Sequence, residues 1–410
     1  MKHTLATILL VGAALAGTAQ VKPGIEVLRD RNFEGLQGKR VGLITNPTGI
    51  DNNLKSTIDI LHEAPGVTLN ALYAPEHGVR GDVYAGAHVD NAVDPATGVT
   101  IYSIYGGGDY KPTPEQLADI DVLVYDIQDN GCRSFTFIST MGKAMEACAE
   151  NGKQFMVLDR PNPIGGDKIE GNVVEDSCFS FVSQFAIPYL YGLTPGELAQ
   201  YLNEEGLLGG GQKVDLTVVP MEGYNRSMDF RATGMPWVLP SPHMPVPETS
   251  LYYPMSGILG ELDYMNIGVG YTEPFKLFCA EWVDADTLCN ALNERNIPGV
   301  RFRPIHIKPF YAFGKGQNMG GVEFYLTDKE AANLSLTQFY VMEEIARLYP
   351  DHKAFDVAPA ARLKMFDKVT GSREIRRRFG ENYRVADIVD YWNKDVEPFR
   401  AASAKYKLYQ

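Results

Sequence analysis

The chain has 410 residues, 45% of them hydrophobic and 22% charged, and a formal net charge of −13. That length exceeds one comfortable hydrophobic core and predicts two domains. The acidic surface speaks against nucleic acid or an anionic membrane as the main partner, although a few local arginines can still hold an anionic small ligand.

The chain opens with Lys2 and His3, an apolar stretch from Leu5 to Ala16 and small residues through Ala19. This is the pattern of a secretory signal peptide, residues 1–19, cleaved after Ala19. The stretch is short for a membrane span, no cysteine offers a lipid anchor near it, and no later segment is apolar enough to cross a bilayer. Export to the periplasm or the extracellular medium, without a membrane anchor, is expected.

From Arg40 onward, short apolar runs alternate with helical patterns. Strands are predicted at Arg40–Thr45, Val67–Ala74, Asp121–Ile127 and Gln154–Asp159. Helices are predicted at Asn53–Glu63, with Leu54, Ile58 and Leu61 on one face, at Phe135–Glu150, and after the Thr194-Pro195 start signal. Continuous apolar strands between helices give the fold class: α/β, a Rossmann-like, mainly parallel sheet with helices on both faces. Residues 22–234 form this domain. Met235 to Pro254 holds six prolines in twenty residues and reads as an extended crossing without regular helix. Residues 235–410 mix strands ("VRFRPIHIK", "GVEFYLTD") with helices and read as a smaller α+β domain, with the site in the cleft between the two. There is no internal repeat.

No dinucleotide fingerprint, P-loop, esterase elbow or HExxH motif is present. The five cysteines match no zinc spacing and read as buried small hydrophobes, with one disulfide open. His77, His88 and Asp90 lack the paired spacing of a metal site. No cofactor and no metal are therefore expected.

Polar clusters follow each of the four strands: "TNPTG", "PEHGVRGD", "DIQDNGCRS" and "LDRPNPIGG". All sit at the carboxyl edge, where open α/β sheets bind ligands. They offer Glu76, Asp82, Asp126, Asp129 and Asp159 against Arg80, Arg133 and Arg160. Paired carboxyls suit general acid–base work or glycoside cleavage, and arginines suit an anionic substrate group. Each residue could instead fix a loop or cap a helix. Glu76 stands out, because Pro75 and Gly78 define a tight turn and glutamate caps helices poorly. Tyr73, Tyr84, Tyr102, Tyr105, Trp237, Tyr252, Tyr253 and Tyr271 offer rings on which sugars pack, or are simply core.

The ordered set "GLITNPTGID", "LYAPEHGVRGD", "DVLVYDIQDNGCRSFTFISTM", "VLDRPNPIGG", "LPSPHMPVPETSLYYP" and "GYTEPF" resembles the NamZ-type exo-β-N-acetylmuramidases over nearly the whole mature chain. The resemblance implies release of N-acetylmuramic acid from non-reducing ends of peptidoglycan-derived fragments such as N-acetylmuramyl-N-acetylglucosamine. It makes Glu76 the leading catalytic candidate, expected to be the general acid, with Asp126, Glu261 or Glu248 as its partner. Asn46, His77, Arg80, Gln128, Arg133, Arg160, Asn162, His243, Glu248 and Tyr271 are the substrate-binding candidates on these motifs. His243 stands where asparagine is more usual. Glu261 stands at the first glutamate of a family segment whose arginine and second glutamate are missing in "GELDYMNIGVGYTEPF". A capture protein using the same arginines and rings, without a catalytic carboxyl, is the alternative. The sequence assigns no oligomeric state.

Overall fold

The computed structural model describes residues 20–80, 91–106 and 108–410. The leader read on residues 1–19, and Asp82, Tyr84, His88 and Asp90, lie outside the described residues. The first half builds strands β1 (Arg40–Thr45), β2 (Thr68–Ala74), β3 (Ala92–Val93), β4 (Thr100–Ser103), β5 (Val122–Asp126), β6 (Gln154–Leu158), β7 (Ile169–Glu170), β8 (Leu190–Tyr191) and β9 (Asp215–Val219). Seven of these form one sheet in the order β3-β4-β2-β1-β5-β6-β9, parallel except at β3. The order reverses between β1 and β5, the switch point at which such sheets open a crevice.

Helices α1 (Gly24–Asp30), α2 (Thr57–His62), α3 (Pro114–Leu117), α4 (Phe137–Glu150) and α5 (Pro195–Glu204) accompany the sheet. The sheet is buried on both faces, as its apolar runs predict. Along β5, Val122 and Val124 enter one core while Leu123 and Tyr125 enter the other. The predicted start of α2 shifts. Ser56 accepts the Asp59 N–H at 3.0 Å and caps the helix there, which leaves Leu54 outside and 63% exposed instead of on the buried face. Thr194 and Glu197 close the expected start of α5 as a capping box. All five cysteines are buried and free.

The second half holds a three-stranded antiparallel sheet, β10 (Leu277–Ala280), β11 (Val300–Ile307) and β12 (Met319–Leu326), with β12 central. Pro304 is tolerated because β11 is an edge strand. Around it lie α6 (Thr249–Gly260), α7 (Ala285–Glu294), α8 (Thr337–Leu348), α9 (Ala354–Val357), α10 (Ala360–Thr370), α11 (Arg373–Asn382), α12 (Val389–Trp392) and α13 (Val396–Ser403). The extended reading of 235–254 is corrected at its end. Thr249–Pro254 is already helical, with Pro254 inside α6. Burial of Met255, Ile258 and Leu259 in the second core outweighs the local proline penalty of about 3 kcal/mol. The chain end returns to the first sheet, where Phe399 and Tyr406 join its helical layer.

Candidate active site

At the end of β2 the chain turns sharply. The Gly78 N–H donates to the Pro75 carbonyl at 3.0 Å, and His77 and Gly78 have φ of 72° and 77°. A histidine in the left-handed region costs about 1–2 kcal/mol, so the surroundings must hold this turn. The turn projects Glu76 beyond the sheet edge. The Tyr105 hydroxyl, after β4, donates to its Oε1 at 2.9 Å. The Thr136 hydroxyl, just before α4, donates to its Oε2 at 2.6 Å. Burial and the Glu76 charge push the Tyr105 phenol up, so it stays protonated and able to donate near neutral pH.

These groups face a cavity of about 640 Å³ between the sheet edge and the second half. His77 joins them from the turn, His243 from the proline-rich segment, Glu261 from the end of α6 and Lys368 from α10. Burial holds the Glu261 carboxyl above its usual range; Arg362 at 4.0 Å opposes that shift and Asp263 reinforces it. Burial and the nearby His77 hold the His243 imidazole below its ordinary value, and its Nε2 lies 2.7 Å from the Tyr311 hydroxyl. Tyr110 and Phe181 stack at 4.1 Å and 17° on the cavity wall, giving an apolar platform of the kind sugars use. Two carboxyls thus meet in one cavity in different settings, one receiving two hydroxyl donors and one shifted up by burial.

The structure brings Glu76, His77, His243 and Glu261 together, with Tyr105 and Tyr253 from the candidate rings. It places the other predicted site residues elsewhere. Asp126 is fully buried and takes Arg160 and the Thr57 hydroxyl, so neither Asp126 nor Arg160 reaches the cavity. Arg160 also donates to the Ile50 carbonyl at 2.7 Å. Arg133, 1% exposed, spends its guanidinium on three backbone carbonyls and the Ser183 hydroxyl. Arg80 donates to Asp94 at 2.6 Å. Glu248 pairs with Arg231 on the surface.

Three amides staple the loops rather than line the cavity. Asn46 Oδ1 accepts the Thr48 N–H at 3.0 Å. Gln128 Nε2 donates to the Asp129 and Pro161 carbonyls at 2.8 and 2.7 Å. Asn162 bridges the Ile164 N–H and the Leu193 carbonyl, both at 3.0 Å. Tyr271 stacks on Phe310 and lines a different cavity, with His306 and Lys308. Conversely, sequence reasoning assigned no role to Thr136 or Lys368. Thr136 lies in the quoted stretch "DVLVYDIQDNGCRSFTFISTM", where its carboxyl and arginine neighbours drew the attention, and Lys368 lies in an ordinary helix with no motif to mark it. Among the described residues, no group of three or more His, Cys, Asp or Glu is placed to hold a metal ion, and no helix is long and apolar enough to cross a membrane.

The buried Asp126–Arg160 pair makes a stability prediction. Arg160→Ala leaves Asp126 uncompensated and should destabilise by about 3–5 kcal/mol, read by denaturant unfolding.

Comparison with known proteins places this chain in a known group. Residues 41–248 match the family described as exo-beta-N-acetylmuramidase NamZ, N-terminal, and residues 251–409 match its C-terminal counterpart. The chain belongs to the NamZ exo-β-N-acetylmuramidase family. The peptidoglycan beta-N-acetylmuramidase NamZ of Bacillus subtilis (strain 168) is 42% identical over 390 residues, covering 95% of this chain and 92% of that protein. A crystal structure of a DUF1343 family protein from Bacteroides fragilis NCTC 9343 matches with a TM-score of 0.92 and 60% identity, over 95% of this chain and 99% of that one. A second DUF1343 protein from the same strain matches with a TM-score of 0.75 and 27% identity, over 96% and 99%. In this NamZ family member the two matched regions meet in sequence at the proline-rich segment and the start of α6, and residues from both line the cavity.

Proposed function

We propose that this chain is an exo-acting glycoside hydrolase that releases N-acetylmuramic acid from the non-reducing ends of peptidoglycan fragments. Membership of the NamZ family supports the activity class, and the two carboxyls facing one cavity carry the mechanism. Cleavage needs a proton on the departing glycosidic oxygen and a carboxylate to act at the anomeric carbon or on the water that attacks it. Glu261, raised by burial, suits the proton donor. Glu76, whose two oxygens each accept a hydroxyl hydrogen bond, suits the carboxylate. This reverses the role expected for Glu76 from sequence. The C1–O bond breaks, the leaving oxygen takes the Glu261 proton, and water supplies hydroxide to C1 and returns a proton. Tyr110 and Phe181 offer the apolar face against which a sugar ring packs.

The pH dependence follows from this division. A general acid must be protonated, so kcat/KM falls as pH rises through the raised Glu261 value, and Glu261→Gln should abolish that alkaline limb. Its rate on the natural disaccharide should fall by about 10²–10⁴-fold. A β-nitrophenyl glycoside of N-acetylmuramic acid, whose leaving group needs no proton, should restore Glu261→Gln but not Glu76→Gln. Equal loss on both substrates for Glu261→Gln would overturn the assignment.

Residues 1–19 then direct export, and the substrate is met in the periplasm or the extracellular medium. Sequencing the N-terminus of the exported protein tests this, with Gln20 as the expected first residue.

A further inference from the structure

The molecule is strongly acidic overall, yet a second hollow of about 330 Å³ shares Lys368 with the Glu76 cavity and is lined mostly by cations: Lys364, Lys368, Arg373 and Arg376. Arg376 is spent, since it grips Asp367 at 2.7 and 2.8 Å. The other three are exposed and make no ion pair or side-chain hydrogen bond among the described residues. Their arrangement opposes folding. Lys364 and Lys368 lie four residues apart on α10, where like charges repel. Arg373 is the first residue of α11, at the end where the helix dipole disfavours a cation. Meanwhile each arginine that could have served an anion elsewhere near the cleft is occupied: Arg80 by Asp94, Arg160 by Asp126 and Arg133 by carbonyls. One unpaired cation, Lys368, lining the catalytic cavity, with two more in the hollow that shares it, is what an anionic substituent of the substrate would require.

We propose that Lys368, with Lys364 and Arg373 behind it, receives the anionic group carried on O3 of the terminal sugar and sets specificity for muramic acid over glucosamine. This rests on the muramidase reading. N-acetylmuramic acid differs from N-acetylglucosamine by a lactyl ether at O3. Its carboxylate is free in trimmed fragments and amide-linked to a peptide, with carboxylates of its own, in untrimmed ones. Both present carboxylates in the same direction from the ring. Lys368, at the junction, suits the lactyl group. Lys364 and Arg373, which line the hollow but not the Glu76 cavity, suit the peptide.

The test uses full-length mature protein, Lys368→Gln and Lys364→Gln/Arg373→Gln, on three disaccharides: N-acetylmuramyl-N-acetylglucosamine, its lactyl carboxamide, and the peptide-bearing form. Losing a charged hydrogen bond predicts a KM increase of roughly tenfold or more for Lys368→Gln on the free acid, with the loss in KM rather than kcat and no such loss on the carboxamide. A loss for the double variant confined to the peptide-bearing form assigns the peptide as the second source. KM values within about twofold of wild type for both variants on both charged substrates would overturn the proposal. So would an equal loss for Lys368→Gln on the carboxamide, which would report a fold effect. If folded wild type cleaves none of the three, the muramidase reading fails. Calorimetry then decides the hollow separately: a preference for N-acetylmuramic acid over N-acetylglucosamine, lost in Lys368→Gln, supports it, and no preference in wild type overturns it.

Discussion

Glu76→Gln should lower turnover of the disaccharide by about 10²–10⁴-fold, the range for removing a positioned catalytic carboxyl, while leaving stability within about 1 kcal/mol of wild type. The amide matches the carboxylate in shape. Its oxygen can accept from one of Tyr105 and Thr136, and the other hydroxyl can rotate to accept from the new NH₂. The turn that carries it is set by Pro75, His77 and Gly78, whose backbone the substitution leaves alone. Packing therefore changes little, and the lost quantity is the negative charge where positive charge develops at the anomeric carbon. A loss smaller than roughly tenfold, with the fold intact, would put the chemistry on another residue.

Arg133→Ala should behave oppositely: a large loss of stability, with substrate specificity unaltered in whatever fraction stays folded. Its Nη1 donates to the Asn172 and Ile187 carbonyls at 2.8 and 2.7 Å, its Nη2 to Val369 at 3.0 Å and its Nε to the Ser183 hydroxyl at 3.1 Å. The fit is tight, since a Cβ on Gly371, which sits at φ +73°, would come within 2.6 Å of Nη2. Burial pulls the guanidinium down to about 10, and no carboxylate pairs with it among the described residues. Truncation strands three buried carbonyls and leaves a cavity, together costing about 3–5 kcal/mol. Lysine cannot reproduce the fork and should rescue little. Denaturant unfolding of Arg133→Ala and Arg133→Lys checks this. A midpoint close to wild type with a selective rise in KM would instead return Arg133 to substrate binding.

Strands β1, β2, β5 and β6 and the edge that carries the cavity were legible in the sequence, because strands buried on both faces require continuous apolar runs and leave their polar residues at the ends, whereas β4 and β9, partly exposed along their length, were not. Glu76 was legible because a proline and a glycine bracket it on a turn. The arginines were misread for a physical reason. A guanidinium serves backbone carbonyls as well as carboxylates, and "NGCRS" and "DRPNP" do not say which. Asp126 was misread likewise, since a carboxylate at a strand end can anchor a loop as readily as do chemistry. The start of α6 was hidden by its proline, and only tertiary burial reveals it. Lys368 had no local mark at all. It matters through Glu76, which the fold brings to the same cavity from a distant part of the chain.

The most direct measurement incubates the purified mature protein with N-acetylmuramyl-β-1,4-N-acetylglucosamine and follows free N-acetylmuramic acid by mass spectrometry, with Glu76→Gln alongside. Release by wild type and its near-absence in Glu76→Gln is the expected result. No release by folded wild type that still binds the disaccharide in calorimetry would contradict the glycosidase and leave a capture protein in its place.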